Sequence, residues 1–178
     1  MCPVLLLWLV ASLQAGSVER ASVIARDGDL SAPLFSLERT ETTADGRNVA
    51  AVRFMDPTGH VVATERVTYV GGNVVAAELE QRQVDERHAM TVVGGDAWFE
   101  AVRDEKTSRT RRDWTSDTLT IDQLPSFVTS QWDRLIDGEE VAFRLVALDR
   151  ARIVRFRLIH RGETEHLGRP AAALRLVL

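Results

Sequence analysis

Apolar and polar residues alternate along most of this chain with a period of two, the pattern of half-buried β-strands. The alternation runs through Leu34 to Thr42, Val49 to Met55, Val61 to Val70, Val74 to Gln83, His88 to Val93 and Trp98 to Arg103. Turn residues separate these runs: Asp45-Gly46, Asp56-Pro57-Thr58-Gly59, Gly71-Gly72-Asn73 and Gly94-Gly95-Asp96. Asp-Gly between alternating runs is a strong hairpin signal, and Pro at the second position suits a tight turn. Later rows repeat the rhythm, Val141/Phe143/Leu145/Ala147 and Val154/Phe156/Leu158. One wet and one dry face per strand predicts an antiparallel sheet. The expected fold class is mainly β: a curved antiparallel meander, forming a half-barrel or open barrel of about 8–10 strands.

The parity assigns inward rows. Val61, Ala63, Glu65, Val67 and Tyr69 share one face, and Val75, Ala77 and Leu79 share another. His88 goes with Met90 and Val92, and His160 follows Val154, Phe156 and Leu158. One segment departs from the pattern. Pro125 to Asp137 places Phe127, Trp132, Leu135 and Ile136 near helical spacing, with Pro in the first turn and Gly138 past the end. That combination predicts one helix near residues 125–137, its Phe127/Trp132 side packed on the sheet or plugging its mouth. Asp104 to Asp117 is polar and reads as a protruding hairpin or a loop, and Trp98, Phe99, Phe127 and Trp132 read as core.

The start of the chain addresses compartment. Pro3 to Leu13 is nearly unbroken apolar sequence, followed by the small residues Ala15, Gly16 and Ser17. This is the pattern of a secretory signal peptide over residues 1–17, too short for a membrane span of roughly 20 residues. Residues 18–178 then form a single β-rich domain in the periplasm or outside a bacterial cell, with no transmembrane segment after signal removal. The single Cys2 leaves with the signal, so no disulfide or thiol chemistry is expected. The run Ala171 to Leu178 is apolar to its last residue. Either that element lies inside the sheet or the domain is truncated at the C-terminus.

Composition excludes more than it assigns. A net charge of −4 with acids interleaved among arginines argues against nucleic acid as a partner. Neither Gly-Gly pair precedes a helix, so no phosphate loop is present, and no Gly-x-Ser-x-Gly elbow marks a serine nucleophile. His160-Arg-Gly-Glu-Thr-Glu-His166 is the nearest approach to a metal motif, with Glu163, Glu165 and His88 as further ligands. In an extended strand its two histidines lie about 20 Å apart, and a solvated turn explains the same residues. No metal site or cofactor is therefore expected.

The stretch Leu124 to Phe156 carries a recognisable sequence: a helix with Trp132 and Leu135, then Asp137-Gly138, Val141-Ala142-Phe143-Arg144, Asp149-Arg150 and Val154-Arg155-Phe156. With Asp56-Pro57-Thr58-Gly59 and Val67 to Val70, it resembles a family of uncharacterised exported bacterial proteins. At the level of fold it is similar to the lipoprotein-carrier half-barrels of the bacterial envelope. The resemblance implies an exported β-rich domain and supplies no catalytic residue.

Candidate chemistry lies in polar groups on dry rows. Glu65, His88 and His160, together with Trp132, would line a pocket for an apolar or lipid-like ligand on the concave face, held without catalysis. A satisfied internal ion pair explains the same groups. Arg109, Arg111 and Arg112 beside Trp114 offer an interaction surface for an envelope protein partner or for anionic groups; a solvated hairpin is the alternative. Two other functions stand beside ligand binding. One is an envelope scaffold without a pocket; the other is a hydrolase using Glu65 with His88 or His160 as acid and base, which needs them within hydrogen-bond reach.

Overall fold

The computed structural model describes residues 6–10, 19–24, 34–82, 84, 86–103, 106–166 and 169–178, with backbone alone for 6–10, 19–24, 166 and 169–171. The structure is mainly β, an open, curved meander with a second, smaller sheet. The meander contains β1 (Leu6–Val10), β2 (Glu19–Ile24), β3 (Phe35–Ala44), β4 (Arg47–Met55), β5 (Val61–Val70), β6 (Asn73–Gln81), β7 (Glu86–Val93), β8 (Asp96–Arg103) and β9 (Lys106–Asp113). Each strand pairs antiparallel with the next in chain order. Most of the signal-peptide expectation falls on residues outside those described; of residues 1–17 only Leu6–Val10 is described, as a strand paired with Glu19–Ile24.

The smaller sheet is built from β10 (Thr118–Leu119), β11 (Val141–Ala147), β12 (Arg152–His166) and β13 (Arg169–Val177), in that order. Its first pair, β10 with β11, is parallel, a short exception to the antiparallel rule. A 3₁₀ turn (Ile121–Gln123) leads into α1 (Leu124–Ser130) and α2 (Trp132–Ile136). The single predicted helix is thus broken at Gln131, with φ −103° and ψ 8°. Side chains bonding back to the backbone account for the break: Thr129 Oγ1 donates to the Pro125 carbonyl at 3.1 Å and Ser130 Oγ to that of Phe127 at 2.7 Å, a pattern that bends helices. Gly138 ends the helix at φ 85°, where a left-handed residue closes the last turn.

The core forms on one face of the large sheet. Val67, Ala77, Met90 and Phe99, all but fully buried, stand side by side across β5 to β8. They pack with Val146 and Leu148 from the far end of β11 and the turn after it. A second cluster joins the helices to the small sheet through Leu124, Leu135, Val141, Phe143 and Leu158. Phe127 lies 5.1 Å from Phe143, ring to ring. The helix therefore rides on the small sheet.

Two details correct the parity reading. Tyr69 pairs with Val74, while Thr68 pairs with Ala76, so Val75 is an extra residue in a β-bulge. The bulge rephases the strand and turns Val74 into the core in place of Val75. Trp98 is the second correction: it is 46% exposed, because Phe99 takes the inward position and neighbours on a strand face opposite ways.

Candidate functional site

The ladder places one chemically mixed row across the inner face. Arg39 pairs with Val52, Val52 with Glu65, Glu65 with Leu79, Leu79 with His88, and His88 with Ala101. Titratable groups thus occupy every second strand with an apolar residue between them. Since strands lie about 4.8 Å apart, Glu65 and His88 are held roughly 10 Å apart. That separation exceeds hydrogen-bond reach, and Leu79 fills the space between.

Glu65 is the centre of this row. It is 8% exposed and lines an open cleft of about 380 Å³ between the two sheets. Phe54, Ala63 and Leu79 form the large-sheet wall, and Ile121, Val146 and Leu148 form the opposite one. Phe35 and Val84, both exposed, stand at the rim, and Gln81 and Asp149 supply further polar edges. Burial pushes the Glu65 carboxyl from an ordinary 4.5 up to about 8, and the charges of Asp122 and Asp149 add to the rise. A hydrogen bond from the Ile121 N–H opposes it. The rise favours the protonated form at neutral pH.

Behind Glu65 lies a polar cluster that sequence reasoning missed. The buried Asp122 accepts from the Tyr69 hydroxyl at 2.6 Å and from the Thr120 hydroxyl at 2.6 Å. Arg39 Nη2 approaches the same carboxylate at 4.0 Å. The Tyr69 phenol is held well above its usual range, by burial first and then by the Asp122 charge and hydrogen bond. It therefore stays a donor. A signal for this cluster was present: Thr120-Ile121-Asp122-Gln123 before an apolar run fits a capping box. The Gln123 side chain accepts the Thr120 N–H at 3.0 Å, as that motif requires.

The remaining predicted residues are dispersed. His88 is buried, with Nε2 at 3.3 Å from Glu86 Oε2, and Glu86 also pairs with Arg103. Nδ1 of His88 has no hydrogen-bond partner among the described residues. Trp132 meets His160 edge-on at 5.7 Å, on the small sheet, with Glu163 3.8 Å from His160 Nε2. Neither His88, Trp132 nor His160 lines the Glu65 cleft. The side chain of His166 lies outside the described residues, and among those described no three His, Cys, Asp or Glu residues converge as a metal site.

The basic set is a hairpin strand divided between faces. Arg109 pairs with Glu100 at 2.8 Å, and Arg111 pairs with Asp96 at 2.8 Å while lying 5.9 Å over the Trp98 ring. Arg112, next along the strand, has the opposite parity, and Trp114 packs against the core. The four residues do not form one surface. No family model, curated protein or solved structure matches the chain.

Proposed function

We propose that this protein is an exported, non-catalytic binder of an apolar ligand, held in the cleft between the two sheets. The observation that carries the reading is the cleft itself: an opening of about 380 Å³ with walls of Phe54, Ala63, Leu79, Ile121, Val146 and Leu148, and a buried carboxyl at Glu65. Sites of this size, lined by apolar side chains with few polar groups, suit small molecules. Glu65, protonated at neutral pH, adds an O–H donor to an otherwise greasy wall. The extended fluorophore N-phenyl-1-naphthylamine, neutral and apolar, tests it. Saturable binding at one site is expected, and it should disappear in Val84→Trp, which blocks the rim from an exposed position. Absence of binding, or binding unchanged in that variant, overturns the reading.

A further inference from the structure

We propose that the occupant of the cleft is an amphipathic cation, an apolar body ending in an ammonium group that seats against Glu65. The inference rests on the cleft being the binding site and adds the chemistry of the head group.

Charge complementarity supports it. Among the described residues the ionisable groups lining the cleft are the acids Glu65 and Asp149, and no described Lys, Arg or His lines it. The elements packed around Glu65 bring acids, apolar groups and neutral polar ones, with Gln81 from β6 among the last. The 3₁₀ turn brings Asp122 and the Ile121 N–H, and the turn after β11 brings Asp149. The paired positions on β4 and β6 are Val52 and Leu79. The basic groups face the other two acids: Arg39 approaches Asp122 at 4.0 Å and Arg150 approaches Asp149 at 3.4 Å.

An anionic head would meet the Asp149 carboxylate and would hold Glu65 in its neutral form, with no cation among the described lining residues to offset either. A neutral head gains one hydrogen bond from Glu65. An ammonium gains that contact and the field of the surrounding acids, and it offsets the burial that keeps Glu65 protonated. On binding, the Glu65 carboxylic acid releases its proton to solvent and the carboxylate accepts hydrogen bonds from the ammonium. No covalent bond forms.

Isothermal titration calorimetry of the whole protein with decylammonium, decanol and decanoate, each below its micelle concentration, tests the proposal at pH 7. Decylammonium should bind at least about ten-fold tighter than decanol, a difference of about 1.4 kcal/mol, with decanoate weakest. Titrations in buffers of different ionisation heat should report release of most of one proton with decylammonium and none with decanol. Glu65→Gln should abolish the proton release and the preference while retaining decanol binding, and Asp149→Asn, at an exposed position, should reduce the preference. Equal affinities, tighter decanoate, or a preference that survives Glu65→Gln overturns the cationic assignment and leaves the apolar cleft standing. Failure of all three compounds to bind overturns both.

Discussion

Two adjacent rows on the inner face of the large sheet differ in composition though they share the same strands. The Ala50–Val67–Ala77–Met90–Phe99 row is apolar throughout and shut away from water. Two residues along each strand, the Arg39–Val52–Glu65–Leu79–His88–Ala101 row interleaves ionisable groups with aliphatic ones. The first row holds the sheet to its partner layer; the second carries ionisable groups, with Glu65 beside a cleft. Backbone pairing is continuous across both, so the contrast arises from side chains alone. Tight packing and ionisable chemistry thereby fall on neighbouring stripes of one surface.

The sharpest way to break the contrast is to hollow out the dry row. Phe99→Ala removes one of the largest fully buried side chains and should cost about 3–5 kcal/mol, read by urea unfolding. A substitution of equal size in the mixed row should cost less, because that row already borders open space.

The mixed row should reveal itself through pH at Glu65. The folded carboxyl of Glu65 binds its proton more tightly than the unfolded one, being raised from 4.5 to about 8. The contribution of Glu65 to folding stability is therefore fully present below the unfolded value and is lost as pH rises from about 4.5 through 8. The decline attributable to this residue is a few kcal/mol, bounded at about 5 kcal/mol. Glu65→Gln should flatten that limb of a stability–pH curve. An unchanged slope would show that the carboxyl is solvated.

Smaller effects separate the cluster behind the row from the outer face. Tyr69→Phe deletes the hydroxyl that donates to Asp122 and should cost about 1–3 kcal/mol, as a buried acceptor loses its partner. On the outer face, Arg109→Ala breaks the exposed 2.8 Å pair with Glu100 and should cost less than about 1 kcal/mol. Added salt should shrink that difference further. If the two substitutions cost the same, inner and outer faces are not the distinct environments described.

Strand positions were legible because each dry row is written in the period of the sequence. Val61–Val70 and Val141–Ala147 are strands with the bounds that alternation sets, and the placement of Glu65 and His88 on the inner face follows from parity alone. The bulge at Val75 was not legible, since one extra residue leaves both Val74 and Val75 apolar and neither register announces itself. The partners of Glu65 were hidden for a different reason. Asp122 and Asp149 come from separate turns, more than fifty residues along the chain, and local spacing carries no information about which turn packs on which strand. Trp132 and His160 met each other on the small sheet through the same long-range packing.

The turn between β11 and β12 joins the two layers. Leu148 is 3% exposed within the large-sheet cluster, while the strands on either side of it belong to the small sheet. The chain leaves this turn through Ala151 in the left-handed region, at φ 48°, which fixes the direction of exit at a cost of order 1 kcal/mol. One leucine thus acts as a rivet, and the width of the opening beside Glu65 is tied to how deeply it is driven. Leu148 also lines the cleft beside Glu65, so how it seats shapes the opening as well as the joint.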